Sequence, residues 1–272
     1  MPRLVRALLL LAAVAGALLA LAWLLQRRLL YFPDREDRAT ADARARRVGL
    51  APWIGAGGEL LGWRLRTPGA RGRLVVFHGN AGSALDRTYV AAALAFASPA
   101  LPLDVYLAEY PGYGPRPGAP SEPALAAAAA AALAAACAEG TGPLLVAGES
   151  LGSAVAAVAA AAAPDMVSGL LLVTPLASVP AVARRHYPLV PAALVRDTWR
   201  ADRALARYRG PVAFVVAGRD EVVFADLGIA LHDAYRGPRR LWLDPGATHN
   251  TVDWSPGAAR WREIVEFLAA GR

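Results

Sequence analysis

The 272-residue chain contains no lysine, a single cysteine, two methionines and four histidines. Without a second thiol no internal disulfide can form, so packing and hydrogen bonds must hold the fold. Cys137, set in an alanine-rich run, reads as a small buried hydrophobe. No Cys/His cluster has metal-ligand spacing, and no Gly-x-Gly-x-x-Gly follows the first strand candidate, so neither metal nor other cofactor is expected. All 29 basic residues are arginine and the net charge is +7. These arginines are scattered, with no stripe interleaved with aromatics to track a phosphate backbone, and nucleic acid is not expected as a partner. In the segment Arg27 to Arg47, attraction to anionic lipid is the simpler account of the charge.

What the chain has in excess is apolar. Hydrophobic residues make up 56% and the mean hydropathy is +0.34. From Ala7 to Leu25 no charge interrupts the run, and a helix of that length, at about 1.5 Å per residue, crosses most of a hydrocarbon core. A cleaved leader is the competing reading, since Arg3 and Arg6 precede the run and Ala20-Leu21-Ala22 has the small-x-small form of a cleavage site. Trp23, Leu24 and Leu25 carry the apolar run past that site, where a polar segment would be expected. Residues 1–28 are therefore read as a retained single-pass anchor in the cell membrane, with export after cleavage as the alternative. More arginines follow the helix than precede it, but Asp34, Glu36, Asp37 and Asp42 are interspersed, so the topology stays open. Residues 29–52 read as a charged juxtamembrane tether, and 53–272 as the folded domain.

Within that domain short apolar runs alternate with helix-like segments. Strand candidates are Leu60–Arg66, Leu74–Phe77, Val105–Ala108, Leu144–Ala147, Leu170–Val173, Val212–Ala217 and Leu241–Leu243, nearly continuous in apolar residues as doubly covered parallel strands should be. Helix candidates are Ala84–Ala97, Glu122–Ala138, Leu151–Ala163, Asp226–Tyr235 and Gly257–Ala270. Ser121 followed by Pro123 is a good helix start, and the alanine run after it needs no role beyond a closely packed helix. The alternation predicts a mostly parallel sheet with helices on both faces.

One stretch carries chemistry. Gly148-Glu149-Ser150-Leu151-Gly152 follows the run Leu144–Ala147 directly and leads into an alanine-rich helix. A Gly-x-Ser-x-Gly match arises by chance roughly 0.07 times in a chain of this composition, and the strand–turn–helix context is what a nucleophile elbow requires. A serine needs a base, and the base needs a third group to fix its tautomer. Of the four histidines, His249 lies in a loop between the last strand and the last helix, where it can swing over the sheet edge; His186 and His232 fall in helical or interhelical segments. Asp220, after the penultimate strand, is the candidate carboxylate, with Glu221 beside it and Asp226 as a fallback. Leu151, at a helix N-terminus, is one candidate oxyanion donor. The loop "HGNAGS" supplies the other through the backbone N–H of Asn80 or Ala81, while His78 reads as a brace for that loop.

Taken in order, "FHGNAGS", "AEYPGYG", "GESLGSAV", "TPLAS", "GRDEVV" and "GATHN" resemble the α/β-hydrolase-domain group that includes the ABHD13-like and BEM46-like proteins. "QRRLLYFPD" after an apolar helix resembles its membrane-anchored members. The resemblance spans nearly the whole chain and implies a serine-hydrolase fold, with Ser150, Asp220 and His249 matching the triad and Asn80, Ala81 and Leu151 the oxyanion hole. It supplies no substrate. The loop "EYPGYGPRPGAPSEP" departs from the group in its prolines, which are expected to stiffen one wall of the pocket. A short cap is expected near 176–209, where Tyr187, Leu189, Val190, Leu194, Val195 and Trp199 either line an acyl pocket or pack the cap down. The resulting expectation is hydrolysis of carboxylic esters or thioesters of an apolar, lipid-like acyl substrate. A noncatalytic membrane-tethered module and an acyltransferase using the same triad are the rival readings.

Overall fold

The structure is a computed structural model that describes residues 2–188 and 191–270. Eight strands form one sheet: β1 (Ala51–Ile54), β2 (Leu60–Leu65), β3 (Gly72–Phe77), β4 (Leu103–Ala108), β5 (Leu144–Glu149), β6 (Gly169–Val173), β7 (Val212–Ala217) and β8 (Arg239–Asp244). Their spatial order is β1-β2-β4-β3-β5-β6-β7-β8. β2 runs antiparallel to β1 and β4, and the other neighbouring pairs are parallel. Nine helices are described: α1 (Pro2–Leu30), α2 (Arg38–Arg47), α3 (Thr88–Leu94), α4 (Glu122–Ala138), α5 (Leu151–Ala162), α6 (Val179–His186), α7 (Ala201–Leu205), α8 (Ala225–Ala234) and α9 (Ala259–Ala269).

The apolar runs bury both faces because side chains alternate along a strand. Val75, Phe77, Leu144, Val146, Leu170, Leu172 and Phe214 join one core cluster with α4, α5 and α7. Leu74, Val76, Leu145, Ala147, Leu171, Val173 and Val215 join the other with α2, α3 and α9. Alanine suits these helices. Along α4, Leu125, Ala128, Ala129, Ala132, Leu133 and Ala136 are buried in a 3–4 spaced stripe, and side chains this small let helix and sheet approach closely. Ser121 caps α4 by accepting from the Ala124 N–H at 3.3 Å, with Pro123 in the first turn.

Two expectations change. The segment 29–52 is folded rather than a tether. Phe32–Pro33 pairs in parallel with Ala81–Gly82, α2 is capped by Asp37 and buries Ala41 and Ala45, and β1 adds an edge strand. The apolar face of α2 is only two alanines wide among arginines, too little to register as amphipathic. The helix expected over 84–97 is instead a 3₁₀ turn, Ala84–Arg87, followed by the short α3. Its start is fixed by Ser83 and Asp86, whose Oδ2 accepts from the Ser83 N–H at 2.7 Å.

Among the described residues α1 is the one helix long and apolar enough to cross a membrane, with a mean hydropathy of 2.7 over the most apolar 18-residue window within Arg3–Leu30. Its last two turns rest on the cap. Arg27 reaches Asp197 through Nε (3.0 Å) and Nη2 (3.1 Å). Gln26 donates to the Leu194 carbonyl and accepts from the Arg196 N–H, both at 2.8 Å. The Arg196 guanidinium lies 4.3 Å from the centre of the Trp23 ring.

Candidate active site

Ser150 stands between β5 and α5 with φ 54° and ψ −121°, a backbone conformation that non-glycine residues rarely hold. What forces it there is the closeness of three backbone segments. A Cβ on Gly148 would lie 2.1 Å from the Gly152 carbonyl oxygen, and one on Gly152 would lie 2.0 Å from that of Phe77. Both are far inside contact distance, so only glycine fits at either position. The turn is tied further by the Ser150 N–H to the Val173 carbonyl (3.0 Å). Ser153, one helical turn on, donates to the Ser150 carbonyl (2.5 Å) and accepts from the Leu176 N–H (2.8 Å).

The three side chains expected to meet do meet. His249 Nε2 is 3.0 Å from Ser150 Oγ, and His249 Nδ1 is 2.8 Å from Asp220 Oδ2. Because a carboxylate only accepts, Nδ1 carries the proton and Nε2 is left free to accept from the serine hydroxyl. Asp220 follows β7, and its Oδ1 accepts from the N–H groups of Val222 (2.9 Å) and Val223 (3.0 Å). Burial works against its ionised form, but the hydrogen bond and charge of His249 and these two N–H groups outweigh it, so its pKa lies below the ordinary carboxylate range. The alternatives lie elsewhere: Glu221 is exposed and Asp226 pairs with Arg185 at the surface. His186 bonds the Val222 carbonyl and His232 bonds Asp233.

Asn80 and Leu151 line the same cavity as Ser150. The Asn80 side chain donates to the Leu30 carbonyl (3.0 Å), and its own carbonyl accepts from the Phe32 N–H and the Tyr113 hydroxyl. Ala81 does not reach this cavity: it is exposed and sits in the two-residue ladder opposite Phe32. His78 is buried beneath the loop, with Nδ1 against the Gly79 carbonyl (2.8 Å), Nε2 against Glu109 (3.2 Å) and its ring packed on Tyr110 and Tyr113. The proline-rich loop thus supports the site from below, where it contributes Tyr110 and Tyr113, rather than forming a pocket wall.

Two cavities adjoin the triad, one at Ser150 and one at His249. The first, about 620 Å³, is bounded by Ser150, Leu151 and Asn80 at its floor, by Val179, Val182 and Ala183 of α6, and by the end of α1. Tyr187, Leu194 and Val195 line it, whereas Trp199 is fully buried and donates to the Tyr31 hydroxyl (3.0 Å); Leu189 and Val190 lie outside the described residues. The second, about 390 Å³, is mixed: Arg87, Tyr89, Glu149, Asn250 and His249 line it together with Val173, Val252 and Trp254. Arg87 Nε and the Tyr89 hydroxyl each donate to Glu149 Oε2 at 2.9 Å. Burial opposes the Arg87 cation, but the adjacent Glu149 raises its pKa. Sequence reasoning passed over these residues and Ser153; the one local sign of them was a charged residue, Glu149, inside an otherwise small-residue elbow. Among the described residues no group of three or more His, Cys, Asp or Glu side chains is arranged to hold a metal ion.

The chain matches the α/β hydrolase fold family over residues 72–204. An uncharacterised protein of Mycobacterium tuberculosis is 35% identical over 266 residues, covering 94% of this chain and 92% of that protein. Protein Bem46 of Schizosaccharomyces pombe is 28% identical over 213 residues, covering 75% and 69%. Among solved structures, Est1E of Butyrivibrio proteoclasticus, determined with ferulic acid bound, aligns with a TM-score of 0.63 at 19% identity, covering 80% of this chain and 100% of Est1E. With a relative this similar along nearly the full length of both, and a sheet whose strand order and elbow agree with the match, the chain belongs to the α/β-hydrolase family.

Proposed function

We propose that the protein is a membrane-anchored serine hydrolase that cleaves carboxylic esters or thioesters of an apolar acyl substrate. The observation that carries this reading is the unbroken relay from Ser150 Oγ through His249 to Asp220, at 3.0 and 2.8 Å. Ser150 Oγ attacks the carbonyl carbon while His249 Nε2 takes its proton, and Asp220 stabilises the imidazolium that results. The N–H groups of Leu151 and Asn80 face the developing oxyanion. His249 then returns the proton to the leaving alcohol or thiol, and water repeats the sequence on the acyl-enzyme to release the acid. Glu149, Arg87 and Tyr89 lie outside the relay.

The anchor reading rests on α1. It continues as one helix past Ala22, and its last turns bear Gln26 and Arg27, which are tied to the cap. A leader cut after Ala22 would remove Leu19 and Ala22 from the cavity lining and leave Trp23, whose ring packs on Arg196, at the new terminus, so retention at the membrane is preferred to export.

Treating the full chain in detergent with a fluorophosphonate and locating the adduct by mass spectrometry tests the chemistry. Labelling of Ser150 that vanishes in Ser150→Ala and His249→Ala proteins is expected. Folded protein that takes no label would leave a silent scaffold as the better reading.

A further inference from the structure

The helix that makes the chain a membrane protein is also a wall of the cavity above Ser150. Leu19, Ala22, Trp23, Gln26, Leu29 and Leu30 all line it, and their 3–4 spacing puts them on one face of α1. From Leu19 to Leu30 the helix rises about 16 Å at ~1.5 Å per residue. Its upper part belongs to the uncharged run ending at Leu25, so the cavity extends from the serine to a depth occupied by acyl chains when α1 spans a bilayer. Across from it stands α6, with Val179, Val182 and Ala183 at the same spacing. Hydrogen bonds from α1 to the cap are made at Gln26 and Arg27, with Arg196 stacked on Trp23 one turn above; Leu19 and Ala22, higher still, present only apolar surface to the cavity.

The cavity lined by His249 is more polar. Its cation, Arg87, is already neutralised by Glu149, and Tyr89 spends its hydroxyl proton on the same carboxylate. Asn250 adds a neutral amide group. Such a lining offers hydrogen bonds without net charge, which suits hydroxyl groups and gives a phosphate no unpaired cation. A Cβ on Gly79 would meet Ser150 Cβ at 3.5 Å and Arg87 Nη2 at 3.7 Å, so this glycine lies between the nucleophile and the Arg87 side of the second cavity. At about 620 Å³ the apolar cavity is in the usual range for one small ligand, ~300–1,000 Å³, less than a two-chain lipid needs.

We infer that the substrate is a single-chain lipid ester of a small uncharged polyol, drawn sideways from the bilayer along α1. Its acyl chain lies between α1 and α6, and its polyol lies between Arg87, Tyr89 and Asn250. This deepens the serine-hydrolase reading and rests on it. In the step itself the bond from Ser150 Oγ to the acyl carbon forms, the ester bond to the polyol oxygen breaks, and the serine proton leaves on the polyol through His249. Water then displaces Ser150 to give the free fatty acid.

The test uses the full chain in lipid nanodiscs, with monoacylglycerols of four, eight and sixteen acyl carbons, palmitoyl-lysophosphatidylcholine and a palmitoyl-thioester peptide as probes. Sixteen-carbon monoacylglycerol is expected to turn over at least tenfold faster than either the four-carbon ester or the other palmitoyl compounds. Ala22→Trp fills the cavity from the anchor side and is expected to lower the sixteen-to-four-carbon rate ratio at least tenfold. Leu21→Trp, on the opposite face of α1, leaves the ratio where it was. Ala183→Leu makes the same change from the cap side, should the tryptophan disturb insertion. If Ser150 takes the fluorophosphonate in every variant and yet the ratio ignores both cavity substitutions, α1 is no part of the acyl site and the inference fails by itself. Faster turnover of the lysophospholipid or the peptide overturns the headgroup assignment. Absence of labelling in the parent protein removes the hydrolase reading and this inference with it.

Discussion

On the floor of the apolar cavity, Ser150 sits where backbone meets backbone: Gly148 against Gly152, Gly152 against the Phe77 carbonyl, with no room for a methyl group between them. Across the cavity the cap meets α1, about 170 positions away in sequence, through contacts that each depend on a side chain. Arg27 and Tyr31 converge on Asp197, and Gln26 bridges Leu194 and Arg196. A close-packed backbone has one arrangement, because moving any segment brings atoms into overlap. A roof pinned by three or four polar contacts over an apolar interior is held less firmly, and it is the part a chain-bearing substrate has to pass. The rigid half carries the reacting atoms; the pinned half sets which substrate reaches them.

The comparison breaks most directly at the nucleophile. Ser150→Ala removes a hydroxyl and leaves the glycine contacts alone, so hydrolysis should fall by ~10⁶-fold, as for loss of a nucleophile in comparable triads, while the melting temperature stays within a few degrees. A Ser150→Ala protein that still turns over the ester would put the chemistry elsewhere. Asp220→Asn comes next. An amide in place of the carboxylate presents a donor where the His249 Nδ1–H now donates, so the ring loses its tautomer and kcat should drop by ~10⁴. The same carboxylate carries an acid dependence. Its folded pKa is lowered, so its contribution to stability is complete above the ordinary aspartate range and is lost as pH falls through the folded value. Stability followed by fluorescence should therefore fall in the parent as pH drops through and below the ordinary aspartate range, and Asp220→Asn should flatten the pH dependence over that range.

Gly152→Ala probes the floor through stability. Its new Cβ would meet the Phe77 oxygen at 2.0 Å and the His78 oxygen at 2.5 Å. Neither is a side chain that can swing aside, so the β3–α5 contact must open at a cost of ~3 kcal/mol, read as a lower denaturation midpoint. A midpoint equal to the parent's would show that floor and roof yield alike.

How much could be read beforehand follows the same division. Ser150, Asp220 and His249 each lie just beyond a strand, after β5, β7 and β8, and a parallel sheet delivers all such ends to one edge. Small residues around Ser150 announce close backbone approach in the sequence itself. The roof leaves no comparable trace. Asp197 and Tyr31 are separated by 166 residues, each looks like any surface polar residue, and no periodicity links them. α2 was hidden for a related reason: Ala41 and Ala45 are its buried face, and two alanines among arginines look like a solvated linker. β1, four residues long and containing Pro52, falls below what alternation can signal.

Asp197 offers the finest test of the roof, because it is 4% exposed and accepts from both Arg27 and Tyr31. Asp197→Asn keeps the volume but removes the charge and turns one acceptor into a donor facing the guanidinium. Since Arg27 itself is 38% exposed, solvent screens much of the pair, and a double-mutant cycle with Arg27→Gln should return a coupling of only about 1 kcal/mol. The functional effect should exceed what that figure implies for the floor. Loosening α1 from the cap changes the cavity but not the distance from His249 to Ser150, so long-chain hydrolysis should decline while the rate of fluorophosphonate labelling holds. Were labelling to slow in step with long-chain hydrolysis, the pins at Asp197 would be supporting the relay as well as the roof, and the two halves of the site would have to be treated as one mechanical unit.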